Sequence, residues 1–215
     1  MTYNLFFKSK LYTYTFSPTL RQDSLRILSA YAAQNNYEIH QLDVKAAYLN
    51  ADLEEEIYME APEGDDNYKK KYWKLNKTLY GLKQAGRAWN NTFNEVMTEF
   101  NFIRLKSEPC VYVKKNREGN VICLLAVYVD DILITGIKDE ILKAKECIKS
   151  KFNITDVGKA DYMIGFKFEK QNDGYLIHQE KYLKDILKRF NIEKYTPCSN
   201  MVPIINEELR KKGLM

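Results

Sequence analysis

The sequence predicts an α+β domain, an antiparallel sheet with helices packed on one face. Three observations carry that reading. From residue 39 onward, short apolar runs and longer amphipathic ones follow one another in β-α-β-β-α-β order. Two of the apolar runs, 124–129 and 132–134, are separated only by Asp130 and Asp131, which fits two antiparallel strands joined by a tight turn. The longer segments carry their apolar residues along one side, as helices that cover a sheet do.

In order, residues 1–16 are aromatic and basic without a clear period and stay unplaced. The stretch SPTLRQDSLRILSAYAAQNN predicts a helix capped by Ser17. Pro18 would open its first turn, and Leu25, Leu28 and Ala32 recur on one face. YEIHQLDV predicts a strand over 39–44. Residues 61–72, APEGDDNYKKKY, are polar and turn-rich and predict a surface loop. A helix is expected over 87–103, with Trp89, Phe93, Val96 and Phe100 on one face. CVYVKK predicts a strand, followed by strands 121–129 and 132–136 around the Asp-Asp turn, with Gly136 closing the second. The next helix, 138–152, turns Ile141, Ala144, Ile148 and Phe152 inward. DYMIGFKFEK alternates Tyr162, Ile164, Phe166 and Phe168 on one side and predicts the closing strand, with GYLIHQ as its hairpin partner. In a last helix, Leu183, Ile186, Leu187 and Phe190 share one face. Lys181, Lys184 and Lys188 lie almost opposite, as a solvated face or as one that tracks a phosphate backbone.

Strand 39–44, helix 87–103, strands 121–129 and 132–136, helix 138–152 and a closing strand make a ferredoxin-like order. In that topology the first and third strands are central neighbours. Asp43, near the end of the first, therefore comes beside the turn that carries Asp130 and Asp131.

Composition bounds the function. With 45% hydrophobic and 29% charged residues, the 215-residue chain is globular rather than disordered. A net charge of +4 permits a polyanionic partner. Cys110, Cys123, Cys147 and Cys198 show no CxxC spacing and only two histidines exist, which argues against zinc and fits a reducing, intracellular compartment. No apolar run of about 18 residues and no leader pattern is evident, so a soluble, cytoplasmic protein without a membrane partner is expected.

Two adjacent aspartates inside an apolar run call for a physical reason. An ordinary turn is one. The other is a divalent cation, since neighbouring carboxylates repel and a shared metal relieves the conflict. Three carboxylates on adjacent strands suit two magnesium ions and phosphoryl or nucleotidyl transfer.

These residues resemble a known family. QLDVKAAYLNADLEEEIYMEAPEG, KLNKTLYGLKQAGRAWN and LAVYVDDILITG are similar, in that order, to the reverse transcriptase of copia-type (Pseudoviridae) LTR retrotransposons, a section of the Pol polyprotein. YMIGFKFEK and HQEKYLKDILKRF continue the likeness, which runs from about Phe16 to about Val202. The resemblance implies a polymerase palm with partial fingers over 17–179 and the start of a thumb over 180–215. It implies an RNA-directed DNA polymerase using two Mg²⁺ ions, or Mn²⁺ in their place, held by Asp43, Asp130 and Asp131. Tyr48 would close against the ribose 2′ position. Gln84 and Arg87 would meet the incoming nucleotide. Met163, Ile164, Gly165 and Phe166 would form the primer grip at a tight strand turn, and Lys181, Lys184 and Lys188 would follow the template–primer backbone. Implied partners are an RNA or DNA template with primer, dNTPs and, in an intact element, the RNase H, integrase and protease regions of Pol, within a cytoplasmic virus-like particle.

The sequence also departs from the family pattern. The basic fingers hairpin expected upstream is not evident, with Lys8 and Lys10 the only early cations, and no RNase H region follows. A truncated Pol fragment is therefore expected. Its alternative function is that of a catalytically inactive, nucleic-acid-binding remnant. A nucleotidyl cyclase would share the geometry, but the Gln84 motif and the primer-grip-like strand oppose it.

Overall fold

A computed structural model describes residues 5–7, 15–61, 64–66, 68 and 71–193. Lys8, Lys10, Cys198 and the thumb expected beyond 193 lie outside the described residues. The chain divides into two compact units, Met1–His178 and Gln179–Met215.

The first unit opens with strand β1 (Leu5–Phe7), helix α1 (Gln22–Gln34) and strand β2 (Ile39–Val44). A 3₁₀ turn (Ala47–Asn50) leads to β3 (Ile57–Glu60) and β4 (Tyr72–Lys74), which complete a small antiparallel sheet in the order β1-β3-β4. The loop expected over 61–72 ends where Tyr72 enters β4. Helix α2 (Ala85–Glu99) follows, then β5 (Ile103–Arg104), β6 (Val111–Lys115), β7 (Val121–Tyr128), β8 (Asp131–Gly136), helix α3 (Lys138–Lys151) and β9 (Ile154–Lys159). The main sheet has the order β5-β6-β7-β8-β2-β9, and each neighbouring pair is antiparallel. β2 thus lies beside β8, the neighbour relation expected of the first and third strands.

Four expectations need correction. The strand that closes the sheet is β9, ITDVGK, and not DYMIGFKFEK. β9 is an edge strand with mostly exposed side chains, so it lacks the apolar alternation that marks a half-buried strand. DYMIGFKFEK instead folds back on itself. Ile164 and Gly165 both take positive φ (+51° and +80°), closing a two-residue hairpin between β10 (Tyr162–Met163) and β11 (Phe166–Gln171). β12 (Gly174–His178) pairs with β11 as expected, giving a separate three-stranded sheet. Met163, Phe166 and Phe168 form its buried side, and Tyr162 pairs with Lys167 instead of sharing their face.

The helices do not all cover one face of the main sheet. Trp89, Phe93, Val96 and Met97 of α2 and Ile141, Ala144 and Ile148 of α3 pack with Leu42, Leu125, Val127, Ile132 and Ile134. Leu25, Leu28 and Ala32 of α1 pack on the other side, with Leu124, Ala126, Leu133 and the buried side of β11. β7 and β8 are apolar on both faces, and a strand of that kind needs cover on both.

The last two corrections concern helix ends. α1 starts after Arg21, not at Ser17, so Ser17 and Pro18 lie in irregular chain ahead of it, and Leu20 is buried in the core. Glu108 fixes the new start, accepting from Ser24 Oγ at 2.8 Å and pairing with Arg21 at 3.7 Å. α2 begins at Ala85 and stops at Glu99, because Asn101 (φ +62°) turns the chain so that Phe102 is buried.

Gly136 supplies a test of the sheet. Its φ is +150°, and a Cβ there would sit 2.3 Å from the Ile122 carbonyl oxygen and 2.7 Å from Cys123 Cα. Gly136→Ala is expected to destabilise the protein by about 2–4 kcal/mol, combining backbone strain with overpacking. A urea titration checks this, and an unchanged midpoint would contradict the close approach of β7.

In the second unit, α4 (Glu180–Arg189) forms where the lysine-bearing pattern predicts it, with Leu183, Leu187 and Phe190 exposed. Among the described residues no helix is long and apolar enough to cross a membrane.

Candidate active site

β2 and β8 place Asp43 directly opposite Asp131. Facing residues of an antiparallel pair project to the same side, with Cβ atoms about 4.5–5.5 Å apart. The row extends to Tyr128 on β7 and Thr155 on β9. Along β2, side chains two apart share that side. Gln41 Nε2 donates to Asp131 Oδ1 at 3.1 Å, and Lys45 Nζ lies 2.5 Å from Asp43 Oδ2.

The turn is framed one residue earlier than the sequence predicts. Tyr128 pairs with Asp131, so the two turn residues are Val129 and Asp130, and Asp131 begins β8. Val129 has φ +56°, a left-handed conformation that a β-branched residue holds only under strain of about 1–3 kcal/mol. Two contacts hold it. The buried Trp89 of α2 donates its indole N–H to the Val129 carbonyl at 2.6 Å, and Val44 N–H donates to the Asp130 carbonyl at 2.8 Å.

Burial raises the Asp131 carboxyl above the usual carboxylate range, and the charges of Asp130 and Asp43 push it further, against the opposing hydrogen bond from Gln41. Burial also raises the hydroxyls of Tyr48 and Tyr80, with the charge of Asp130 adding to both. The three acids and the two tyrosines thus form one electrostatic neighbourhood. Tyr48 stands on the 3₁₀ turn after left-handed Ala46 (φ +49°). Its ring lies against Tyr80 with centroids 4.4 Å apart, and its carbonyl accepts from Thr78 Oγ1. Tyr48 and the turn residue Val129 both line a cavity of about 90 Å³, together with Ser17, Gly86, Trp89 and others.

The donors suit magnesium: three carboxylates supply hard oxygens, and the Lys45 ammonium shows that Asp43 accepts a cation. Among the described residues, however, no three His, Cys, Asp or Glu side chains are drawn together closely enough to hold an ion. The pairing brings Asp43 and Asp131 into register without assembling a finished metal centre.

Gln84 and Arg87 lie elsewhere on α2. Gln84, at the helix start, is buried, and its Oε1 has no hydrogen-bond partner among the described residues. Both residues line a groove of about 310 Å³ with Asp52, Glu54, Glu55 and Glu95, separate from the cavity beside Tyr48. Met163 and Phe166 flank the β10–β11 turn and are buried, leaving Ile164 and Gly165 at its tip. Lys181, Lys184 and Lys188 are exposed on α4, and Lys184 pairs with Glu180 at 2.6 Å.

Sequence reasoning missed Gln41 and Lys45 as partners of the acids and treated Trp89 as core packing alone. Residues 41, 43 and 45 carry the alternation that could have found the first two. The polar end of Trp89 left no signal, because the carbonyl it meets belongs to a turn forty residues away.

A sheet that sets aspartates of neighbouring strands in register beside a clamped turn agrees with what whole-chain comparison finds. The chain belongs to the reverse transcriptase (RNA-dependent DNA polymerase) family, whose model matches residues 6–206. It is 44% identical over 190 residues to the Retrovirus-related Pol polyprotein from transposon TNT 1-94 of Nicotiana tabacum, covering 86% of this chain and 14% of that protein. To the Pol polyprotein from transposon RE1 of Arabidopsis thaliana it is 34% identical over 191 residues, 87% of this chain and 13% of that one. A Putative transposon Ty5-1 protein of Saccharomyces cerevisiae is 28% identical over 171 residues, 76% of this chain and 55% of that protein. The chain spans about one seventh of the length of the two plant relatives. The copia-type resemblance read from the motifs is borne out.

Proposed function

We propose that this chain is the palm and part of the fingers of a copia-like RNA-directed DNA polymerase, with the start of its thumb. It would extend a primer with dNTPs on an RNA or DNA template. The observation that carries the reading is the register of Asp43 against Asp131 with Asp130 at the adjoining turn. Those three would hold the metal ions. Two bound Mg²⁺, or Mn²⁺ in their place, supply activation of the primer 3′-hydroxyl and neutralisation of charge on the leaving pyrophosphate. Tyr48, backed by Tyr80, would present its ring to the sugar. Gln84 and Arg87 would meet the nucleotide, the Met163–Phe166 turn would support the primer end, and Lys181, Lys184 and Lys188 would follow the duplex backbone. In an intact element the chain would work beside the other Pol regions, in the cytoplasm.

A second reading, a catalytically silent nucleic-acid-binding remnant, is favoured by Lys45 already neutralising an acid that the metals would need. Magnesium-dependent primer extension by the purified chain separates the two. Extension that disappears in Asp130→Asn supports the polymerase. Salt-sensitive binding of primer–template without any extension supports the remnant.

Sugar selection tests Tyr48. Tyr48→Val is expected to ease rNTP incorporation by about tenfold, within the roughly 1–3 kcal/mol scale of steric discrimination. Competition between dNTP and rNTP in single-nucleotide extension measures it. Unchanged selectivity would return Tyr48 to a packing role.

A further inference from the structure

Both strand-borne acids are already engaged, Asp131 by Gln41 of β2 and Asp43 by Lys45 just past the end of that strand. Gln41 holds Asp131 with a neutral amide, and Lys45 holds Asp43 with a full positive charge. Gln41, Asp43 and Lys45 recur at every second position, so one face of β2 and its end carries an amide, an acid and a cation in a row. The Lys45 backbone is fixed at both ends. Its N–H donates to the Asn153 carbonyl at 2.8 Å, and its carbonyl accepts from Asn50 Nδ2 at 3.3 Å. The side chain beyond is a flexible stem, 55% exposed, reaching a carboxylate that is 34% exposed.

The placement has an electrostatic reason. Asp43 faces Asp131 across the sheet, Asp130 adds a third charge, and like charges directly opposite destabilise a sheet. A lysine on Asp43 relieves part of that repulsion. Yet an ammonium at hydrogen-bond distance and a divalent ion bound directly at about 2.1 Å cannot share the same carboxylate without repelling each other.

We propose that Lys45 is the resident counter-cation of the site, occupying Asp43 until a divalent ion arrives and then moving its ammonium onto the phosphates of the incoming nucleotide. This rests on the polymerase reading, since the phosphates belong to its substrate. A lysine suits the task, being a compact charge on a long stem and an effective phosphate binder. The exchange links the two ligands: metal alone must displace Lys45, whereas metal arriving with a triphosphate offers Lys45 a new anion. Each therefore strengthens the binding of the other.

Mn²⁺ binding to the full chain, followed by electron paramagnetic resonance with and without dNTP, tests this independently of turnover. Lys45→Met should bind Mn²⁺ about fivefold more tightly than wild type without nucleotide, the scale of a half-exposed ion pair. Lys45→Arg, which keeps the charge, should match wild type. Added dNTP should tighten Mn²⁺ binding in wild type and do so less in Lys45→Met, which should also show a raised dNTP KM. If wild type extends primers but Lys45→Met binds Mn²⁺ no more tightly, the counter-cation role is overturned and the polymerase reading stands. If dNTP tightens Mn²⁺ equally in both, the transfer to phosphate is overturned. If wild type never extends but Lys45→Met still gains affinity, and Asp43→Asn abolishes the gain, the polymerase reading falls while the competition for Asp43 holds.

Discussion

Trp89→Ala is expected to lower folding stability by about 3–5 kcal/mol, the range for emptying a large aromatic site in a packed core. Trp89 is buried among Phe93, at a centroid distance of 5.5 Å, and Phe152, at 5.0 Å. A loss of that size is a large share of the roughly 5–15 kcal/mol that holds a typical domain together. Trp89→Phe is the more informative variant. It keeps most of the ring volume but removes the indole N–H that meets the Val129 carbonyl. Val129 then loses one of the two contacts that hold its strained left-handed conformation, and Asp130 can shift with it. Displacing a reacting group by about 1 Å can cost on the order of 10²-fold in rate. Primer extension should therefore fall in Trp89→Phe far more than its urea midpoint does. Parallel small losses in both would mean that Trp89 is packing alone.

Asp131→Asn should do the opposite to stability and worse to activity. Extension is expected to fall by about 10²-fold or more, the usual scale for losing one group that stabilises transition-state charge. In EDTA at pH 7, however, the variant should be at least as stable as wild type. Burial, Asp130 and Asp43 raise the folded-state pKa of Asp131 above its unfolded value, so the folded protein binds more protons than the unfolded chain between those two values. The ionised Asp131 therefore destabilises the fold at neutral pH. That penalty fades as pH falls through the raised pKa and is gone below the unfolded value. Asparagine abolishes the charge and can still accept from Gln41. The advantage of the variant should be present at pH 7 and close as the buffer approaches about pH 4, as thermal melts can follow. A wild type more stable than Asp131→Asn at pH 7 would show that burial and the neighbouring acids impose no net penalty on the ionised Asp131.

How much of this was legible depended on how local the cause was. β2 appears at the residues expected, 39–44, and the inward residues of α3 are buried as its period requires. The Asp43 pairing followed from the order of elements alone. The errors arose where distant partners decide. Ser17 and Pro18 read as a helix start, but Leu20 is needed in the core and Glu108 anchors the chain further on, at Arg21 and Ser24. The turn shifted to Val129 because Trp89 and Val44 reward that frame. β9 was invisible because an edge strand can be polar: its Asp156 is held by Lys145 at 2.8 Å, not by apolar burial.

The position of β2 also governs when the site can come into being. β7 and β8 are neighbours in sequence and can pair early, before Trp89 and Val44 arrive to hold their turn. β2 must enter between β8 and β9, and Gln41 meets Asp131, ninety positions further along the chain. Contacts of such long range close late, because the entropy of the loop is lost before the pairing compensates for it. A partly folded molecule thus displays the Asp-Asp tip with no Asp43 across from it. Site assembly reports on the last stage of folding, and a chain that stalls before β2 docks is inert however well its hairpin is made.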